Sequence, residues 1–171
     1  MDAETAGLVS SLREQLDRLT ALVHTLLEMS NLQSVSRTDQ IALAPLVEEI
    51  LTDLTPLAQK NNISLQQDCA ELGMVGSDAL IYRLVFNLVE NGIKYNRPGG
   101  AVRVTLRQEK QTAVLHVADT GPGIPADCRE SIFQPFFRVD KSRSREMGGV
   151  GLGLALVREI AVLHGGSVTV E

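Results

Sequence analysis

The stretch that most constrains this chain is "AVRVTLRQEKQTAVLHVAD", residues 101–119. Apolar and polar residues alternate on both sides of a polar turn, the pattern of two antiparallel strands joined as a hairpin. A sheet with one apolar face needs a second layer to cover it. Three helical patterns can supply that layer. "APLVEEILTDLTPLAQKNN" (44–62) reads as an amphipathic helix, somewhat interrupted near Pro56. A second helix starts at Ser77 or Asp78, either of which can cap it, and runs to about Tyr95. A third runs from about Gly151 to His164. Short strands are predicted at "QIAL" (40–43) and "ISLQQD" (63–68), and a strand or turn at "ELGMVG" (71–76). "SVTVE" (167–171) is expected to start another strand. The mix implies an α+β chain built as a two-layer α/β sandwich.

A long amphipathic helix precedes this unit. Val9, Leu12, Leu16, Leu19, Val23 and Leu26 are spaced alternately three and four apart, and Leu22, Leu27 and Met29 widen the seam. Such a face needs a partner, either the chain's own globular part or a helix of another chain; the second reading is the favoured one. "SVSRTDQ" (34–40) breaks the seam as a linker. The expected organisation is therefore a helical unit at 1–36 and a globular domain at 37–171.

Composition narrows the function. With 171 residues and 44% hydrophobic content, the chain suffices for one domain and an appendage. A net charge of −5 gives no basic field, and the absence of Trp removes a main stacking residue, so no nucleic-acid partner is expected. Cys69 and Cys128 lack metal-type spacing and read as reduced thiols. No apolar run approaches the ~20 residues of a membrane span, and no signal peptide opens the chain. The expected location is the cytoplasm, with a longer parent protein anchored in a membrane.

Four motifs carry chemistry. In "NLVENGIKYN" (87–96), Asn87, Asn91, Lys94 and Tyr95 share one helical face, while Leu84, Val85, Leu88 and Val89 pack. Amide oxygens suit Mg²⁺, lysine suits phosphate, and a phenol ring can cover a flat ligand. The same pattern alone also fits an ordinary solvated face. Glu90, one residue before Asn91, falls about 100° round the helix from it, which sets it off that face. "DTGPGIP" (119–125) follows a strand; Asp119 can accept from an exocyclic amine, Gly121 and Gly123 let backbone approach a ligand, and a plain turn is the alternative. "FQPFFRVDKSRSRE" (133–146) sets Phe133, Phe136 and Phe137 beside Arg138, Lys141, Arg143 and Arg145, within an irregular stretch from Thr120 to Gly149. A loop that long is functional or disordered, and its composition points to a lid. "GGVGLGLALV" (148–157) leads glycines into a helix N-terminus, a place for an anion, although the dinucleotide and P-loop spacings are absent.

In this order the four motifs resemble the N box, first G box, F box and second G box of sensor histidine kinases, across roughly residues 41–171. The resemblance implies the Bergerat ATP-binding fold, shared with gyrase and MutL, and ATP or ADP with Mg²⁺ as ligands. It implies that Asn91 with Asn87 holds the metal, Lys94 meets phosphate, and Tyr95 packs near adenine. Asp119 would bind the adenine amine, supported by Gly121, Gly123 and Ile124. Phe133 and Phe137 would anchor a lid from which Arg138 and Lys141 or Arg143 approach the γ-phosphate. Gly149, Gly151, Gly153 and Leu154 would form the phosphate loop and hinge.

Residues 1–33, especially "RLTALVHTLLEMSNLQ", resemble the second helix of the dimerisation and phosphoacceptor hairpin. The implied partners are a histidine-containing dimerisation domain, a response-regulator receiver domain, and a second copy through the N-terminal helix.

Three points refine the expectation. The gyrase-like relatives carry a water-activating Glu four residues before the metal-binding Asn, where this chain has Asn87; an amide is no general base, so phosphoryl transfer is expected over hydrolysis. None of His24, His116 and His164 sits in a phosphoacceptor box, so the chain is expected to phosphorylate only a histidine supplied in trans. A family strand beyond Glu171 is missing, which is expected to expose a sheet edge. A serine kinase of the anti-sigma type and a regulatory pseudokinase are the other classes. The heptad helix argues against the first, and the intact motifs against the second.

Overall fold

The structure is a computed structural model that describes residues 3–139 and 151–171. Helix α1 (Ala3–Asn31) ends in a single 3-10 turn (Leu32–Ser34). Strand β1 (Asp39–Ala42), helix α2 (Leu43–Lys60), strands β2 (Ser64–Cys69) and β3 (Gly73–Gly76), and helix α3 (Asp78–Lys94) follow. The hairpin is β4 (Ala101–Glu109) and β5 (Thr112–Asp119). Two 3-10 turns (Ala126–Cys128, Ser131–Phe133) then precede helix α4 (Gly153–Leu163).

The hairpin is antiparallel, with Val104 opposite Val117 and Leu106 opposite Leu115. Strand β2 joins its other side in parallel, and β3 with α3 supply the crossover that a parallel pair requires. A separate two-stranded sheet pairs β1 with β3. Alternation along β4 buries Val102, Val104 and Leu106 and leaves Arg103 and Arg107 exposed. Against that apolar face lie the buried sides of α2 (Leu46, Val47, Ile50, Leu54) and α3 (Ile81, Val85, Val89, Ile93). Helix α4 adds Leu156 and Ile160 to the same core. The expected two-layer α/β sandwich is what forms.

Several local expectations change. Helix α2 runs unbroken through Pro56, because Leu54 and Ala58 on either side are buried in the core. Thr55 Oγ1 also donates to the Leu51 carbonyl on that turn. Ser77 makes no side-chain cap on α3; the Asp39 carboxylate of β1 accepts from the Asp78 N–H instead. Residues 167–171 form no strand, since no described strand pairs with them. The outer side of β5 has no pairing partner among the described residues. Along α1 the seam stays exposed, with Leu12 and Leu16 each at 63%. Its C-terminal part docks: Ala21 and Thr25 line the cavity described below, Leu32 enters the core, Met29 packs against it, and Glu28 pairs with Arg83 of α3 at 2.8 Å. No described helix is long and apolar enough to cross a membrane. Both cysteines are free, and burial pushes the Cys69 thiol up.

Two contacts set how α3 sits. Gly92 faces Val102: a Cβ there would lie 3.2 Å and 3.3 Å from the two valine methyls. The ~1 kcal/mol that Gly92→Ala gains in helix propensity only partly offsets ~1–3 kcal/mol of overpacking. A net loss of about 1 kcal/mol is expected in thermal unfolding. The second contact ties α3 to α2, where the Tyr82 hydroxyl donates to Asp53 and the ring stacks on Phe86. Burial, then the Asp53 hydrogen bond, pushes the Tyr82 phenol from 10.0 up to about 12. A raised folded-state pKa means this stabilisation is complete below about pH 10, the unfolded value, and is lost as pH rises through about 12. Tyr82→Phe should remove that part of the alkaline fall in unfolding free energy, measured by denaturant titration between pH 9 and 12.

Candidate functional site

A cavity of about 940 Å³ opens between α3, residues 122–125, the Ser131–Phe133 turn, residues 137–139 and the start of α4. That volume suits a ligand of nucleotide size. One wall is a stripe of α3: Arg83, Phe86, Asn87, Glu90, Asn91, Lys94 and Tyr95. These positions follow i, i+3, i+4, i+7, i+8 spacing, so the stripe lies opposite the buried Val85–Val89–Ile93 edge. Val85 and Val89 are buried as expected, whereas Leu84 and Leu88 are half-buried.

Asn87 is oriented by its own helix. Its Nδ2 donates to the Arg83 carbonyl at 2.7 Å, and its Oδ1 accepts no hydrogen bond among the described residues. The start of α4 comes so close that a Cβ on Gly153 would sit 2.9 Å from that Oδ1. Gly151 has φ +79 and lies against residues 136 and 137, where a Cβ would meet the Phe137 carbonyl at 2.9 Å. Its own carbonyl accepts from the Phe136 N–H at 2.8 Å, tying the aromatic segment to the glycine turn.

Glu90 is a correction. It lines the cavity and pairs with Lys94 at 2.8 Å, with both side chains about a quarter exposed. The roughly 100° that separates it from Asn91 does not take it off the stripe. From Asn87 it is only about 60° away, and from Lys94 about 40°, which keeps it on the stripe.

The other expected residues divide. Gly123, Ile124, Phe137, Arg138, Gly151, Gly153 and Leu154 line the cavity. Phe133 is outside its lining, and its neighbour Ile132, which is 8% exposed, takes that place. Asp119 and Gly121 are also outside the lining; the Asp119 Oδ1 accepts from the Gly121 N–H at 2.7 Å and holds that turn against the end of α3. Lys141, Arg143 and Gly149 lie outside the described residues. None of the three histidines lines the cavity. His164 bridges two helices: Nε2 accepts from the Ser77 N–H at 3.1 Å and Nδ1 donates to the Ile160 carbonyl. Residues that the sequence reading missed include Arg83, Phe86, Arg129 and Ile132. The first two were legible as a backward extension of the Asn87 stripe; the other two sit in irregular segments that carry no periodic signal.

Charge defines what the cavity accepts. Arg83 is engaged by Glu28, and Lys94 by Glu90. Arg138 has two enclosed nitrogens, Nε and Nη2, without a partner among the described residues, and Arg83 keeps one, Nε, beside its bond to Glu28. Enclosed guanidinium nitrogens without an acceptor are costly unless an anion completes them. No cluster of three His, Cys, Asp or Glu exists among the described residues, so any cation here is held chiefly by amide and ligand oxygens. That donor set fits Mg²⁺ shared with a polyphosphate.

This fold and this cavity define an ATP-binding domain, and comparison with known proteins agrees. Residues 76–171 match the family described as histidine kinase-, DNA gyrase B-, and HSP90-like ATPase, and the chain belongs to that family. Within it the chain is a catalytic ATP-binding domain of the sensor histidine kinase type. The sensor histidine kinase RppB of Synechocystis sp. is 38% identical over 173 residues, covering 98% of this chain and 38% of that protein. The mycobacterial sensor histidine kinase MprB has a solved structure similar at 29% identity and TM-score 0.66, over 75% of this chain and 80% of that one. The histidine kinase ThkA in complex with the response regulator TrrA shares the fold at 24% identity and TM-score 0.75, over 97% of this chain and 47% of that one. The chain spans less than half the length of RppB and of other curated relatives it matches, from 29% to 45%.

Arg138→Met tests the anion reading. Removing an enclosed, unpartnered cation should leave the melting temperature equal or higher, because no native bond is lost. Titration with inorganic triphosphate should show at least about tenfold weaker binding. A fall of several degrees in melting temperature would show instead that Arg138 is paired in the free protein.

Proposed function

We propose that this chain is the ATP-binding catalytic region of a two-component sensor histidine kinase. In the full enzyme it transfers the γ-phosphoryl group of Mg·ATP to a histidine of the dimerisation domain, from which a response-regulator aspartate receives it. The observation that carries the proposal is the Asn87 and Asn91 amides on one wall, with Arg138 in the same cavity holding two enclosed nitrogens that have no partner among the described residues. Together they offer a cation ligand set and an anion receptor to one polyphosphate.

Asn91 with Asn87 would hold Mg²⁺, which neutralises phosphate charge when bound. Lys94 would meet phosphate after leaving Glu90, and Arg138, with Lys141 and Arg143, would cover the terminal phosphate. The glycine turn through Gly149, Gly151 and Gly153 into Leu154 would bring N–H groups of α4 to the phosphates. Tyr95, Ile124 and Gly123 would enclose the base, and the Asp119 oxygen not used by Gly121 would take its amine. The protein's part is orientation and charge, with no covalent step of its own.

Hydrolysis is expected to be slow. Asn87, at the place four residues before Asn91, has no basic atom to activate water. The exposed seam of α1 suits a helix of a second copy, which would make the parent protein a homodimer.

The deciding experiment incubates the chain with Mg²⁺ and γ-labelled ATP, with and without a separately supplied acceptor-histidine hairpin. Acid-labile label should appear on the hairpin only, and Asn91→Ala should lower both nucleotide affinity and transfer by at least about tenfold. Unchanged binding and transfer in Asn91→Ala would remove the assignment.

A further inference from the structure

The α3 wall of the cavity presents oxygen acceptors. The Asn87 Nδ2 is committed to the Arg83 carbonyl, its Oδ1 accepts no bond among the described residues, and Glu90 adds a carboxylate three residues on. The nearest cation on that wall, Lys94, is held by Glu90 at 2.8 Å. Arg83 on the same wall is held by Glu28. A wall of acceptor oxygens with its cations already paired repels bare phosphate. It receives phosphate oxygens once a divalent cation lies between.

We infer that Glu90 makes this site selective for metal-complexed over metal-free nucleotide. Its carboxylate opposes the uncomplexed polyphosphate and withholds Lys94 from it. A divalent cation removes the repulsion and lets the phosphates draw Lys94 across. The inference rests on the nucleotide-binding reading above and assigns Glu90 a positioning role that acts through Lys94 and through charge. The adjacent Asn91 remains the metal-binding residue in this scheme.

The test is a calorimetric titration of ATP in excess Mg²⁺ and, separately, in EDTA. The proteins are the unaltered chain, Glu90→Gln, Glu90→Asp and the double variant Glu90→Gln/Lys94→Met. The unaltered chain should prefer the Mg²⁺ complex. Glu90→Gln should bind metal-free ATP about tenfold more tightly, shrinking the preference by at least that factor. Glu90→Asp keeps the charge and should keep most of the preference. The double variant should lose part of the metal-free affinity gained by Glu90→Gln, the part that comes from the released Lys94. Should Glu90→Gln fold poorly, Glu90→Ala removes the same charge and must move the ratio the same way. A Glu90→Gln ratio within twofold of the unaltered one, with Mg·ATP still bound, overturns this inference and leaves the proposed function standing. An unaltered chain that binds neither form overturns both.

Discussion

The seating of α3 on strand β4 is the contact on which the rest depends. Ile81, Val85, Val89 and Ile93 recur every fourth residue and are nearly inaccessible, and Val102 and Val104 of β4 receive them. Gly92 allows the close approach. Once that edge is buried, the rotation of the helix is settled, and 3.6-residue periodicity sends Arg83, Asn87, Glu90, Asn91 and Lys94 to the opposite side. The polar wall of the cavity is thus a consequence of how the apolar face packs. The amides that look misplaced in an apolar helix are the ones the core cannot reach.

The charges on that wall are arranged in pairs. Glu28 reaches from α1 to Arg83, and Glu90 reaches along α3 to Lys94, so two of the cavity's cations are engaged before any ligand arrives. Arg138, from the segment after the second 3-10 turn, has two enclosed nitrogens without acceptors among the described residues. The pairing through Glu28 also couples the end of the long N-terminal helix to the cavity wall, although most of that helix keeps its apolar seam exposed. Partly exposed pairs of this kind contribute little to stability. Their consequence is positional: they decide which donors point into the cavity.

Much of the architecture was legible in the chain. Period-two alternation gave the hairpin, and helical periodicity gave α1, α2, α3 and α4 nearly to the residue. The errors have particular causes. Pro56 suggested an interruption, but α2 continues through it between buried neighbours. Ser77 and Asp78 were the local capping candidates, yet the cap is Asp39, 39 residues earlier. Residues 167–171 have strand-like composition without a partner to pair with. In the site, Asn87, Asn91, Lys94 and Tyr95 were found together because one helix carries them. Glu90 was set aside because a single angular comparison stood in for the width of a stripe. Ile132 replaced Phe133, a one-residue choice that turn geometry makes and composition does not.

The sequence by itself determined the elements that depend on local periodicity: where helices and strands lie, which helix edge is apolar, and which motifs can meet a nucleotide. Those features are short-range, since alternation and 3.6-residue spacing are written within a dozen residues. Only the tertiary structure decided which groups are already engaged. Lys94 is paired, Arg138 has unpartnered nitrogens, the Asn87 amide is turned by the Arg83 carbonyl, and Asp119 spends one oxygen on its own turn. Hydrogen-bond occupancy depends on distances between groups that spacing alone does not specify, and that occupancy separates a polar helix face from a binding site.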